Sequence, residues 1–204
     1  MASDVENRIF FGGGGGAGDG NNSASNDGGD GGGIAFVVAK TFIGTGNIKA
    51  DGANGLNTVG AGNDAPGGGG GGGTIVIKAN TLNNQTVSSN GGNGGNQIIT
   101  GPEAEGCGGG GGGGVIATPP NGAGTCGITS SYIYISGKSG LTTSNALTEF
   151  PPNGGTWGAE GEYDVKVSPG FIPYTITCLV DLDGDNIDDR SDDLDIDNDG
   201  IYIQ

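Results

Sequence analysis

The chain contains no histidine and few basic residues, and this excludes two large classes of function. A Ser–His–Asp or Cys–His catalytic set needs an imidazole base, so nucleophilic catalysis of that kind is excluded. The 204 residues include 7 Lys and Arg against 23 Asp and Glu, which gives a net charge of −16. Because nucleic-acid binders neutralise phosphates with cationic side chains, this balance argues against a polynucleotide partner.

Long apolar runs are also missing. No segment approaches the roughly 18 apolar residues of a membrane helix. The only apolar run near the start, residues 9–11, is too short for the hydrophobic part of a signal peptide. We expect the chain to be a piece of a longer protein, because its last sequence motif is interrupted at residue 204.

Glycine is what the sequence has in excess. The 50 Gly and 8 Pro make up more than a quarter of the chain, a level that is typical of disordered segments. The apolar residues, however, are concentrated in β-rich blocks, and no stretch has helical periodicity. The blocks cover residues 34–43, 74–82, 132–135 and 163–180. This arrangement predicts an ordered all-β protein with glycine-rich spacers.

An internal repeat relates two of these blocks. Pure glycine runs occupy residues 12–16, 67–73 and 108–114, and an apolar block directly follows each of the last two. A repeat unit of this length that cannot bury its own apolar face must stack on its neighbours. Laid 40 residues apart, Gly33 matches Gly73, Ala39 matches Ala79, Thr41 matches Thr81 and Phe42 matches Leu82.

After a slip of one residue, residues 50–52 also match residues 89–91. The predicted unit is a glycine run, a strand, a short turn, a second short strand and a Gly/Asn loop. Both faces of the strand at residues 34–39 are apolar, which predicts that both are covered. In the second copy, Lys78 is expected to point to solvent.

The glycine runs have two interpretations. They are either flexible, solvated loops or extended strands of the polyproline-II type, which pack closely because no Cβ separates them. Their equal length and their similar distance from the next strand favour order. The predicted fold is therefore all-β, with stacked glycine-rich β repeats that resemble a β-solenoid and contain polyglycine-II layers.

Three regions are predicted along the chain. Residues 1–126 form the glycine-rich stacked repeats. Residues 127–180 form a small antiparallel β region, because residues 163–167 alternate between apolar and polar side chains. Residues 181–204 form an acidic metal-binding segment.

The number of cysteines is odd. Cys107 and Cys126 flank one glycine-rich loop and are the favoured disulfide pair, which leaves Cys178 over. Three free thiols are the alternative.

The acidic segment has the spacing of a calcium loop. Residues 181–204 hold ten Asp and one Arg, and carboxylates at this density repel one another unless a cation lies between them. An all-oxygen cage of this kind suits Ca²⁺. Positions 1, 3, 5, 9 and 12 of the loop are Asp181, Asp183, Asp185, Asp189 and Asp192, and Ile187 offers its carbonyl at position 7. The alternative is a solvated acidic tail.

A second calcium loop is predicted directly after the first. Its candidate ligands are Asp193, Asp195, Asp197 and Asp199. If this loop begins at Asp195, its twelfth position falls beyond Gln204.

The two loops together resemble thrombospondin type 3 calcium repeats, which are common in large surface proteins of Bacteroidota. The units of a glycine run and a strand, as in residues 67–95, resemble glycine-rich segments of bacterial surface adhesins. These resemblances imply an exported cell-surface adhesin of the kind carried by the type IX secretion system and used in gliding motility.

The expected function is a non-enzymatic, extracellular structural and adhesive module of a larger bacterial surface protein. Calcium would stiffen its acidic segment, and its partners would be other segments of that protein, secretion or outer-membrane machinery, and a surface glycan or receptor. The residues expected to contact such a ligand are the loop at 91–97, Tyr132, Tyr134 and Trp157, although core packing is the favoured role for Trp157.

Two other functions are compatible with the sequence. One is a phage tail-fibre tip adhesin, in which polyglycine layers present receptor-binding loops. The other is a polysaccharide-degrading enzyme on a β-solenoid, since paired carboxylates act on glycosides without histidine. No carboxylates cluster on a predicted strand outside the acidic segment, which argues against the enzyme.

Overall fold

A computed structural model describes residues 9–20, 26–60, 64–99, 105–118, 130–145 and 155–166. The regular elements in these ranges are almost all strands, and the fold there is all-β. The strands are β1 (Ile34–Lys49), β2 (Thr58–Gly60), β3 (Thr74–Ser88), β4 (Gln97–Ile99), β5 (Val115–Thr118), β6 (Ser131–Ile133) and β7 (Glu162–Lys166).

The strands form two parallel sheets. The larger sheet has the order β1-β3-β5-β7, with β6 pairing beside the last part of β3. The smaller sheet pairs β2 with β4. Every strand pair in the described part of the chain is parallel. Parallel neighbours need long crossover connections, and here these connections are the glycine-rich segments.

The strand register confirms the repeat seen in the sequence. β1 pairs with β3 at an offset of 40 residues, so that Ala39 lies beside Ala79 and Phe42 beside Leu82. The predicted one-residue slip is also present, because the register shifts between Ile43 and Gly46. The predicted short turn is wrong: each strand runs through this point without a break. The shift is absorbed by local left-handed backbone, at Gly44 with φ 120° and Asn84 with φ 60°.

The hydrophobic core lies on one face of β3. The side chains of Ile75 and Ile77 are fully buried there, and Val37 of β1 packs beside them. Tyr132 and Tyr163 pack against the core from β6 and β7. The buried core residues are Ala50, Ile75, Ile77, Ala79, Leu82, Val87 and Ile116.

The opposite face of β1 is not covered, and the prediction that both faces are buried is wrong for this strand. Phe36 is 57% exposed and Val38 is 67% exposed, whereas their register partners Val76 and Lys78 are 4% and 6% exposed. Among the described strands, β3 has a neighbour on each side, whereas β1 lies at the end of the sheet. The expectation that Lys78 points to solvent is therefore also wrong.

The glycine runs are hydrogen-bonded to one another with a period of three residues. In the run at residues 67–73, successive amides donate to three different segments, residues 50–56, 13–16 and 109–112, before the cycle repeats. One set of donors is Gly67, Gly70 and Gly73, which donate to the carbonyls of Leu56, Ala53 and Ala50 over 3.1, 2.9 and 2.8 Å. The glycine runs therefore pack side by side within the chain.

We call the set of segments joined in this way the glycine bundle. Its first row, in which successive segments are parallel, consists of residues 26–33, 67–73, 108–114 and 155–161. Its second row runs antiparallel to the first and consists of residues 50–57, 88–96 and 133–141. Residues 12–18 pack against the first row. The bundle holds the strands that follow each glycine segment in a common direction.

This arrangement explains why the antiparallel β region predicted for residues 127–180 is wrong where the structure describes it. β6 pairs parallel to β3, and β7 pairs parallel to β5. An alternation of apolar and polar residues, as at 163–167, carries no information on the direction in which a strand pairs. Direction is set by the segment at residues 155–161, which enters the bundle parallel to the preceding glycine run.

Several sequence predictions lie outside the described residues. Cys126, Cys178 and residues 167–204 are among them, so the proposed disulfide and the proposed regional boundary at residue 181 stay predictions. Cys107 is half-buried before the third glycine run, and burial raises the pKa of its thiol.

Candidate functional site in the second row of the bundle

A ladder of side-chain hydrogen bonds runs across the second row of the glycine bundle. In the first segment, the side-chain oxygens of Asp51, Asn54 and Asn57 point toward the next segment and accept its backbone N–H groups. These bonds join Asp51 Oδ1 to Asn90 N (2.8 Å), Asn54 Oδ1 to Asn93 N (2.7 Å) and Asn57 Oδ1 to Asn96 N (2.7 Å).

The same kind of hydrogen bond joins the second segment of the row to the third. Its three asparagines accept the amides of Ile135, Lys138 and Leu141. The distances are 3.0 Å from Asn90 Oδ1 to Ile135 N, 2.8 Å from Asn93 Oδ1 to Lys138 N and 2.8 Å from Asn96 Oδ1 to Leu141 N. We call the six residues Asp51, Asn54, Asn57, Asn90, Asn93 and Asn96 the Asx ladder.

The three-residue spacing of the ladder follows from the backbone geometry. An extended chain with three residues per turn brings residues i, i+3 and i+6 onto one side. Asp and Asn have a short side chain whose oxygen reaches the neighbouring backbone. The ladder is not among the sequence predictions above, although the sequence carries its signal in the three-residue spacing of the asparagines at 90, 93 and 96.

At the third segment the ladder positions change from Asx to larger side chains. Ile135 is 59% exposed and Leu141 is 62% exposed, and Lys138 is exposed between them. Trp157 of the following segment is 63% exposed, and the Lys138 Nζ lies 5.5 Å from the centroid of its ring. We call Ile135, Lys138, Leu141 and Trp157 the terminal patch.

The backbone of the terminal patch is hydrogen-bonded to the neighbouring segments of the bundle. The carbonyl of Lys138 accepts the Gly94 amide at 2.9 Å, in addition to the bond that its own amide makes to Asn93. Next to Trp157, the Gly158 amide donates to Gly137 at 3.0 Å. An exposed indole on such a support offers an apolar face to a ligand without a large ordering cost.

Three tyrosines stack on one another beside the hydrophobic core. The Tyr132 and Tyr163 rings stack with centroids 4.5 Å apart, and the Tyr134 and Tyr163 centroids are 6.0 Å apart. Burial, followed by the neighbouring Tyr163, raises the pKa of Tyr132 to about 12. These rings are half-buried against the core.

The three predicted contact sites are therefore placed differently from expectation. Trp157 is exposed, so the favoured role of core packing is wrong. Residues 91–97 are largely buried within the glycine bundle instead of forming an exposed loop, with Asn93 their one exposed position. Tyr132 and Tyr134 contribute mainly to packing, since both rings stack on Tyr163.

The predicted calcium ligands, all within residues 181–199, lie outside the described part of the chain, and the calcium sites stay predictions. Within the described ranges, no three Asp, Glu or Cys side chains form a group suited to a metal ion. The same ranges contain no helix of the length and apolar character that a membrane crossing requires. Comparison of the chain with protein families, curated proteins and solved structures finds no match.

Proposed function

We propose that the chain is a non-enzymatic structural and adhesive module that works outside the cell as part of a larger bacterial surface protein. The observation that carries this proposal is the glycine bundle, in which backbone hydrogen bonds join neighbouring segments in three directions around residues 67–73. Such an arrangement supports a stiff structural body.

We infer that the bundle is a polyglycine-II lattice within a solenoid-like stack of repeats. Three residues per turn and hydrogen bonds only between chains are the properties of this conformation. Each of the first three repeats contributes one segment to each row, and each repeat contributes at least one strand to the larger sheet. Stiffness would then come from stacking of neighbouring repeats, as in other repeat proteins.

The terminal patch is the adhesive surface in this proposal. Aromatic side chains with a polar rim are typical of recognition surfaces. Trp157 presents an exposed ring beside the Lys138 ammonium. The occupant we favour is a surface glycan, which would stack one sugar ring on the indole.

The proposal also includes calcium binding by the acidic segment at residues 181–204. The spacing of Asp181, Asp183 and Asp185 supports a calcium loop. The resemblance to thrombospondin type 3 repeats supports a joint that stiffens when calcium binds. Because calcium is abundant outside cells, this joint would become ordered after export through a type IX route.

The test is retention of the intact chain on polysaccharide-coated surfaces, measured together with release of sugar products. We expect retention without turnover, and loss of retention in Trp157→Ala with an unchanged thermal midpoint. Leu56→Ala is a matched control, because Leu56 is 55% exposed and lies outside the patch. Release of reducing ends or unsaturated products would refute the proposal in favour of the enzyme.

A second measurement, with and without calcium, tests the calcium-binding part of the proposal separately from the adhesive part. A ligand at about 100-fold over its Kd stabilises the folded state by roughly 2.7 kcal/mol. We therefore expect the thermal midpoint to rise with calcium and to stay unchanged with magnesium. Replacement of Asp181, Asp183 and Asp185 by Asn should abolish the rise. Superimposed curves with calcium and with chelator would remove calcium from the proposal.

A phage tail-fibre tip adhesin is the second candidate. The three-residue hydrogen-bond period of the bundle favours it, since polyglycine layers are the support on which such a tip would present its receptor-binding surface. Co-purification of the chain with a fibre partner, together with calcium-independent binding to whole cells, would favour this candidate over the surface module.

A further inference from the structure

The glycine bundle has a third row, of which residues 12–18 are the one described member. They lie in the groove between residues 26–33 and 67–73. Their amides donate to the first of these segments, and two amides of the second donate back to them, all over 2.8–2.9 Å. We call the next groove along the row, between residues 67–73 and 108–114, the central groove. No described segment lies in it.

The central groove offers the same hydrogen-bonding groups as the groove that holds residues 12–18. On one wall, the amides of Gly109 and Gly112 stand at the repeat positions of the two amides that donate to residues 12–18. On the other wall, the carbonyls of Gly69 and Gly72 stand at the repeat positions of carbonyls that accept from residues 12–18. Within the described ranges these four groups have no hydrogen-bond partner, and all four glycines are half-buried.

The glycine content of the run at residues 67–73 indicates that the central groove is used. At five of the seven positions, an added Cβ would lie closer than 3.0 Å to a neighbouring backbone carbonyl, so glycine is required there. The two other positions, Gly68 and Gly71, have no atom closer than 3.4 Å to such a Cβ and no positive φ. Their Cβ atoms would lie between residues 12–18 and residues 108–114, at the central groove. A segment seated in this groove would require glycine at both.

The first segment of the first row shows what the sequence does where a neighbouring segment is missing. An added Cβ on Gly67 or Gly70 would meet the carbonyls of Asp27 or Asp30 in the preceding segment. Asp27 and Asp30 are themselves the repeat equivalents of these two glycines, and no described segment precedes theirs in the row. The bundle therefore carries larger side chains where no neighbour requires glycine. Gly68 and Gly71 follow the same rule if a segment lies in the central groove.

We infer that the central groove binds an extended glycine-rich segment of a partner protein, with glycine at every third residue. Residues 12–18 supply the pattern. A Cβ on Gly12, Gly15 or Gly18 would lie closer than 3.0 Å to a backbone carbonyl of the groove wall, whereas a Cβ on Gly13 or Gly16 would have no atom within 4 Å. The segment would bind antiparallel to residues 67–73, as residues 12–18 do, and the site is separate from the terminal patch.

The sequence indicates that the segment comes from another polypeptide. Three glycines at three-residue spacing occur only within residues 12–18, 67–73, 106–114 and 155–161. All four stretches lie in the described part of the chain, and each contributes to the bundle. A second copy would have its own four stretches engaged in the same way. The remaining ranges of the sequence lack the pattern.

Residue-resolved amide hydrogen exchange tests the inference on the intact chain. In the chain alone, we expect the amides of Gly68 and Gly71 to be protected and those of Gly109 and Gly112 to exchange more than about tenfold faster, since they lack an acceptor. A synthetic peptide of repeated Gly-Ser-Ala triplets should protect Gly109 and Gly112 in a saturable manner. A peptide of the same length and composition whose glycines are adjacent should not, because its Cβ atoms would collide with the groove walls.

A matched pair of variants locates the peptide. Gly71→Leu directs a side chain into the central groove and should weaken protection by the peptide by more than about tenfold. Gly33→Leu introduces the same side chain at an exposed position where a Cβ has no atom within 4 Å, and it should leave peptide binding unchanged. Both variants should keep the wild-type thermal midpoint in the absence of peptide.

Four outcomes would overturn the inference. Protection of Gly109 and Gly112 in the chain alone, at any concentration, would show that another part of the same chain covers the groove. Protection that rises with protein concentration would assign the groove to a second copy. Absence of peptide binding, or equal binding of the two peptides, would remove the glycine-rich partner. Unchanged binding in Gly71→Leu would place the peptide elsewhere.

Discussion

The glycine bundle makes a sharp prediction for two adjacent residues of one run. A Cβ built on Gly70 lies closer than 3.0 Å to the carbonyls of Gly29 and Asp30, whereas a Cβ on Gly71 has no neighbour closer than 3.4 Å. Neither residue has a positive φ, so the backbone conformation suits alanine at both. The two substitutions therefore differ only in the space around the new methyl group.

The expected cost of Gly70→Ala follows from the hydrogen bonds that must give way. The Asp30 carbonyl that the methyl group displaces accepts the Ala53 amide at 2.8 Å. Moving residues 26–33 also stretches the bonds that the amides of Gly29 and Gly32 donate to the run at residues 67–73, both 2.8 Å. Three hydrogen bonds at about 1 kcal/mol each give a loss of about 3 kcal/mol, which is within the range for overpacking.

Gly71→Ala should behave in the opposite way. Where the native conformation suits alanine, replacing glycine stabilises a protein by about 0.4–1 kcal/mol through the unfolded state. For a chain of this size, each kcal/mol shifts the melting temperature by about 2–4 °C. Gly70→Ala should therefore lower the melting temperature by about 6–12 °C, and Gly71→Ala should leave it unchanged or raise it slightly.

Thermal unfolding followed by circular dichroism measures both variants against the wild type. Gly13→Ala and Gly16→Ala are further controls, because a Cβ at either position has no atom within 4 Å. The packed bundle would be refuted if Gly70→Ala and Gly71→Ala shifted the melting temperature equally and upward. That result is expected of flexible, solvated glycine loops.

Two other predictions concern the ladder and the tyrosine cluster. Asn93→Ala removes the acceptor of the Lys138 amide, so it should lower the free energy of unfolding by about 1 kcal/mol in denaturant titration. Asn93→Asp keeps the acceptor and should lower the free energy of unfolding by less. An equal loss in both variants would contradict the ladder. Tyr132 has its pKa raised to about 12, so the folded state holds the proton more tightly than the unfolded chain with its pKa near ~10. Its contribution to stability should be complete below pH 10 and fall as the pH rises from about 10 to about 12, and this fall in melting temperature should be absent in Tyr132→Phe.

The sequence predicted the strands of the repeat well because a repeat constrains its own pairing. The match of Ala39 with Ala79 and of Thr41 with Thr81 gave the register of β1 on β3 directly, including the later slip. The direction of β6 and β7 could not be predicted in this way. It depends on how residues 133–141 and 155–161 enter the glycine bundle, and their sequences repeat the earlier segments only weakly.

Exposure was harder to predict than pairing. Phe36 and Val76 look equivalent in the sequence and differ in burial: among the described strands, β1 is at the end of the sheet and β3 is inside it. Trp157 looks like a core residue by its type, but its segment is the last described member of its row. Local pattern does not report how many neighbours a segment has.

The three-residue hydrogen-bond period also limits how this molecule can change in length. A residue inserted into the run at 67–73 would rotate every later residue of that run by one third of a turn. Amides that now donate to residues 50–56 would then face residues 13–16 or 109–112. Insertion or deletion of three residues leaves each amide facing the same neighbouring segment as before, and it changes only the length of the run. Glycine runs of this kind should therefore grow and shrink in steps of three residues.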